Sequence, residues 1–259
     1  MTISPRNEGM TMKSSYHKTS GFTLVEMAIV LVIVGLLLGG LLMPIATQME
    51  QKRISETEKY LEQIKEALLG YAAANGRLPC PATAASNGLE NPVGGGVCTN
   101  PYNGFLPAVT LGLSPINNAG LAIDAWNNPI HYAVTTANGS AFTTAGGMRA
   151  TGMGTLTPNL SVCASATAIT ATTCGGAAAN TRTSNAPVVI YSLGKNAGVA
   201  ATGIDEAANP NPSSANNDQV FINHTPATST AANGEFDDIV TWISVNTLFS
   251  RMIAAGTLP

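Results

Sequence analysis

The chain has 259 residues, 45% of them hydrophobic and only 10% charged, with a formal net charge of -3. That length buries at least one sizeable core, and the charged fraction falls well below the roughly 25% usual for a soluble domain. With a slightly acidic balance and no Lys/Arg block after residue 66, the chain has no basic field to recruit nucleic acid, and no nucleic-acid partner is expected.

Taken from the start, residues 1–21 read MTISPRNEGMTMKSSYHKTSG and carry Arg6, Lys13 and Lys18 against Glu8. Positive flanks stay cytoplasmic, so this end is expected inside and the bulk of the chain exported. Residues 27–46, MAIVLVIVGLLLGGLLMPIA, contain no ionisable side chain. About 20 such residues at 1.5 Å rise cross a hydrocarbon core of roughly 30 Å, which favours a single membrane helix over a buried core helix. Pro44 and a charged helix follow without an A-x-A pattern, so cleavage after the apolar run is not expected. Glu26 is the anomaly, since a carboxylate costs about 2.5–3.5 kcal/mol at the centre of a membrane helix.

The stretch SGFTLVEMAIV, residues 20–30, accounts for that acid. Gly21, then Phe22, Thr23, Leu24, Val25 and Glu26, then an unbroken apolar run behind a basic leader, resembles the class III signal of type IV pilins and type II secretion pseudopilins. The resemblance implies that prepilin peptidase cuts between Gly21 and Phe22 on the cytoplasmic side and methylates the new amino terminus of Phe22. It implies that Glu26 then meets the amine of a neighbouring subunit during assembly on an inner-membrane platform. Phe22 and Glu26 are spaced i, i+4 on one helix face, so the alternative for Glu26 is a pairing with its own amine, or snorkelling to the interface. Gly35 and Gly39 form a G-x-x-x-G, and Gly39, Gly40 and Pro44 weaken helical hydrogen bonding. A kink or partial melting is expected there in a filament.

Residues 47–75 predict an amphipathic helix, with Ile54, Leu61, Ile64, Leu68 and Tyr71 on one stripe and Glu56, Glu58, Lys59, Glu62, Lys65 and Glu66 opposite. Asn75-Gly76 and Pro79 stop it. Residues 76–259 form the exported head. LPCPATAASNG, NPVGGGVCTNP and ANPNPSSANND read as loops, and strands are expected at 130–135, 187–193, 219–223 and 239–244. NTLFSRMIAA, residues 246–255, predicts a short closing helix with Leu248, Met252 and Ala255 on one face. The fold class is α+β, a long N-terminal helix packed on a small antiparallel sheet in a pilin-like head with long loops.

The cysteines, Cys80, Cys98, Cys163 and Cys174, all follow the apolar run, where an oxidising compartment favours disulfides. Pairing Cys80 with Cys98 and Cys163 with Cys174 closes two short loops and is the preferred connectivity of three. Neither interval has zinc-knuckle spacing.

DAWNNPIHY (124–132), SLGKNAG (192–198) and FDDIVTWIS (236–244) resemble pseudopilin heads more than pilin heads. In major pseudopilins a related loop holds calcium. That resemblance nominates Asp205, Glu206, Asp218, Asp237 and Asp238 as oxygen donors, although the intervening loop is long and lacks a compact D-G pattern.

Enzyme motifs are scarce. Gly94–Gly96 and Gly194-Lys195 lack the ending of a phosphate loop, and His131 and His224 have no acid or nucleophile beside them in sequence. The expectation is a non-enzymatic filament subunit. The alternative is a membrane-anchored periplasmic adhesin or binding protein.

Overall fold

The computed structural model describes residues 21–199, 201, 203–209 and 218–259, without the side chains of 38–45. Residues 1–20, most of ANPNPSSANND, and the side chains of Gly39, Gly40 and Pro44 lie outside the described residues. The chain divides into two units, one ending at Met49 and the other Glu50–Pro259.

The first unit is the start of α1 (Leu24–Asn75). Its described side chains are exposed on all sides, from Phe22 at 79% to Leu36 at 73%, with no core of their own. Among the described residues no helix is long and apolar enough to cross a membrane. The uncharged run 27–46 passes through 38–45, where side chains are not described.

The second unit is layered. Strands β1 (Gly104–Phe105), β2 (His131–Val134), β5 (Val188–Ser192) and β7 (Ile239–Ile243) form an antiparallel sheet in the order β1-β2-β5-β7. A second sheet, order β4-β3-β6, joins β3 (Leu160–Cys163) to β4 (Thr181–Ala186) antiparallel and to β6 (Val220–Ile222) in parallel. Short helices lie between strands: α2 (Ala108–Leu111), α3 (Ala137–Ser140), α4 (Gly147–Thr151) and α5 (Ile204–Ala208). α6 (Val245–Ala254) closes the chain, capped by Ser244, whose Oγ accepts from Thr247 N at 3.1 Å.

Period-two alternation sorts the first sheet between two cores. Tyr132, Val134, Val188, Ile190 and Ile243 pack with Leu61, Ile64 and Leu68 of α1 and with Leu248 and Met252 of α6. Ala133, Val189, Tyr191 and Val240 pack on the other side with Leu160, Val162, Ala186 and Phe221 of the second sheet. The expected α+β class is what the structure has, with each expected strand present within a residue or two.

Three details differ from the sequence expectation. The second sheet also draws on β3 and β4, which carry little pattern: β4 is mostly exposed, and β3 is only four residues long. Ala255 is exposed, because α6 turns only Leu248 and Met252 inward. On α1 the buried stripe includes Thr57, whose Oγ1 accepts from Ala125 N at 3.3 Å, while Ile54 and Tyr71 sit at its margins.

The loop after α1 is held by two devices. A disulfide joins Cys80 to Cys98, and a buried fork joins Arg77 to Glu90, with Nη1 2.7 Å from Oε2 and Nη2 2.6 Å from Oε1. Glu90 also accepts from Cys80 N, Gly94 N and Tyr71 OH, so its lone pairs are used. Burial pushes the Glu90 carboxyl up, but the guanidinium and these N–H donors outweigh it and its pKa is lowered.

A carboxyl with a lowered folded pKa contributes stability above its unfolded value and loses it as pH falls through the folded one. Glu90→Ala strands a buried guanidinium and is expected to cost roughly 3–5 kcal/mol in denaturant unfolding. Glu90→Gln flattens the acid limb of stability below about pH 4.5, measured by thermal melts across pH.

Candidate functional site

The N-terminal segment begins with Gly21 and an exposed Phe22 outside the helix, and Thr23 is the N-cap residue. Glu26 Oε2 accepts from Thr23 N at 2.8 Å and from Thr23 Oγ1 at 3.0 Å, while Thr23 Oγ1 accepts from Glu26 N at 3.2 Å. This is a reciprocal capping box, T-x-x-E before an apolar run, a signal legible in the sequence but not used in reading Glu26. It gives the carboxylate a partner within its own chain, one turn from the Gly21-Phe22 bond.

In the head, the three stretches singled out in the sequence converge where β5 ends and β7 begins, since Ser192 pairs with Ile239. Asp124 Oδ2 accepts from Ser192 Oγ at 2.6 Å, and its Oδ1 accepts from Trp126 N and Asn128 N, each at 2.8 Å. Asn128 Nδ2 donates to Gly194 O at 2.7 Å. Gly194 has φ +62, and a Cβ there would run into Asp237, so glycine is required. Lys195 N then donates to Asp237 Oδ2 at 2.9 Å.

Of the five nominated acids, the structure brings three together. One carboxylate oxygen each from Glu206, Asp237 and Asp238 lies within 4.8 Å of the others. Glu206 and Asp238 are each 4% exposed, and Glu206 Oε2, Asp237 Oδ1 and Asp238 Oδ1 are buried without a hydrogen-bond partner. Burial raises all three carboxyls, Asp238 to about 8. Carboxylate oxygens gathered around one point without hydrogen-bond partners are a donor set that could hold a hard cation.

The other two acids turn away. Asp205 accepts from Ala166 N, Ser165 Oγ and Asn233 Nδ2, and Asp218 accepts from Val220 N at 3.1 Å. Asn209, not singled out in the sequence, orients Asp238 by donating to its Oδ2 at 2.8 Å. No spacing pattern links Asn209 to Asp238, so this partnership exists only in three dimensions.

The cysteines form Cys80–Cys98 and Cys163–Cys174 disulfides, leaving no thiol for zinc. His131 stacks on Tyr191 at 4.9 Å, and burial lowers its pKa to about 4, so it is neutral at physiological pH. His224 Nε2 lies 3.2 Å from Asp205 Oδ2. Ser165 shares that carboxylate, but its hydroxyl bonds to Asp205 and Thr167, which is not a base-activated nucleophile.

If the capping box orders the first turn, Thr23→Ala costs about 1 kcal/mol of local helix stability. Hydrogen exchange in detergent micelles is then faster at the Glu26 amide and unchanged in the head.

Residues 16–42 match the family model for the prokaryotic N-terminal methylation motif. No curated protein and no solved structure matches the chain. Gly21, Phe22, Thr23 and Glu26 all fall inside the matched span, and this chain carries the prepilin-type signal of type IV pilins and pseudopilins.

Proposed function

We propose that this chain is a structural subunit of a type IV pilus or type II secretion pseudopilus. The observation that carries the reading is the methylation motif at residues 16–42. On this reading residues 1–21 are a cytoplasmic leader removed by prepilin peptidase, and Phe22 becomes the N-methylated first residue. Residues 22–46 cross the inner membrane once and later form the filament core, residues 47–75 continue as a periplasmic helix, and 76–259 are the periplasmic head. The capping box supplies what a lone carboxylate needs before assembly, an internal partner that a neighbour's amine replaces in the filament.

Mass spectrometry of the native protein tests the processing: a mature chain beginning with N-methyl-Phe22 is expected, and an intact Met1 overturns it. Glu26→Ala is expected to block filament incorporation while leaving membrane insertion and head folding intact, measured by crosslinking of sheared filaments.

The acidic cluster leans toward the secretion side, because two of its three carboxylates, Asp237 and Asp238, lie in FDDIVTWIS, a segment that resembles pseudopilin heads. Calcium is the cation proposed for Glu206, Asp237 and Asp238, and it would neutralise three acids that otherwise repel. Asp238 has a raised folded pKa, so its contribution is present below the unfolded value and lost as pH rises toward about 8. Asp238→Asn is therefore expected to raise the melting temperature in EDTA at neutral pH and to abolish the further rise that calcium gives the native chain. Equal melting curves with calcium and with EDTA for the native chain would sink the calcium assignment.

The second reading, an anchored adhesin or binding protein, draws on an open groove of about 680 Å³ between residues 54–63 of α1 and the Asn223, His224 and β7 side of the head. A pocket of that size suits a small ligand. Under this reading Glu26→Ala leaves function intact, which separates it from the filament reading.

A further inference from the structure

Helix α5 is a single turn, yet Asp205 on it and Asn209 just after it are each held by several hydrogen bonds. At its start, Ile204 N donates to Asn233 O at 3.1 Å, and a Cβ on Gly203 would run into that carbonyl. Asp205, 4% exposed, faces the loop closed by Cys163 and Cys174. It accepts from Ala166 N and from Ser165 Oγ, the latter at 3.2 Å, and from Asn233 Nδ2 at 2.9 Å, with His224 Nε2 3.2 Å away. That loop is tied internally, since Asn180 Nδ2 donates to Ser165 O at 3.0 Å and to Cys174 O at 2.9 Å.

The next residue, Glu206, faces the acidic cluster. Three residues on, Asn209 is fully buried, donating to Ile222 O at 3.0 Å and Asp238 Oδ2 at 2.8 Å and accepting from Ile222 N at 2.7 Å. The short segment thus supplies one carboxylate of the cluster, orients a second, and is anchored on its other side to the disulfide loop.

We infer that the Cys163–Cys174 loop positions the cation-binding carboxylates through α5, with Asp205 as the positioning residue and Asn209 as the orienting one. The inference rests on the cation reading above. Asp205 is not a ligand in it: its oxygens accept from the loop and from Asn233, so its removal acts on the cluster only through the placement of Glu206 and Asn209. A head that needed the second disulfide only for global stability would show no link between that loop and metal affinity.

The test uses the full chain in detergent micelles, stripped with EDTA and titrated with calcium chloride by calorimetry, with hydrogen exchange over residues 203–209. Asp205→Ala and the double variant Cys163→Ala/Cys174→Ala are each expected to lose about tenfold or more in calcium affinity, the range seen when supporting partners of metal ligands are removed. Both are expected to exchange faster over 203–209 in EDTA. Glu90→Gln weakens the head away from the cluster and is expected to keep native affinity, which separates positioning from general destabilisation. Ser165→Ala removes one donor to Asp205 and, should the larger changes impair folding, is expected to show the same loss in smaller measure. Native calcium affinity in folded Asp205→Ala or the disulfide variant overturns the inference alone. Absence of calcium uptake by the native chain overturns the cation reading and the inference together.

Discussion

Strand β5 is buried from end to end, all five residues from Val188 to Ser192, and that constraint organises the head. A strand buried on both faces needs a layer on each side, and here α1 covers one face and the second sheet the other. Side chains that serve chemistry cannot sit in the middle of such a strand. They collect where it ends, at Ser192 and Gly194, opposite the start of β7 at Asp237 and Asp238. The acidic cluster is where it is because the two antiparallel strands bring one end and one beginning together.

Most buried acids of the head are partnered. Arg77 and Glu90, Asp124 and Ser192, Asp205 and Ser165, Asn209 and Ile222 are buried groups with partners. Trp126 Nε1, His131 Nδ1, Tyr191 OH and His224 Nε2 are buried without a hydrogen-bond partner, and so are one carboxylate oxygen each of Glu206, Asp237 and Asp238, which alone of these gather around one point. A fold that leaves one oxygen of each of three adjacent acids unsatisfied carries an electrostatic cost there, which the proposed cation would offset. The two disulfides close loops of 18 and 11 residues in sequence and, in the loop-closure picture, contribute about 3 kcal/mol each. Such support suits a head with many loops.

At the other end of the chain, the same physics acts on one residue. Glu26 stands at the third position of α1, where an acid both satisfies an orphan N–H and complements the positive end of the helix. On the proposed filament reading, the carboxylate would exchange this capping role for a neighbour's amine. Within its own chain the acid is partnered by Thr23.

The N-terminal signal at residues 16–42 was legible because it rests on local pattern: Gly21-Phe22 and Glu26 at fixed spacing ahead of an uncharged run. The strands at 130–135, 187–193 and 239–244 were legible because Val, Ile, Tyr and Trp mark buried sheet. Strands β3 and β4 were not, since LSVC is short and TRTSNA is mostly exposed. The resemblance to pseudopilin heads nominated five acids, but only tertiary structure brought Glu206, Asp237 and Asp238 together, by turning Asp205 to the disulfide loop and Asp218 to a strand end. Helical signals are written in neighbours three and four apart, whereas a carboxylate cluster is assembled by strand pairing and one short helix, which no spacing in the sequence encodes.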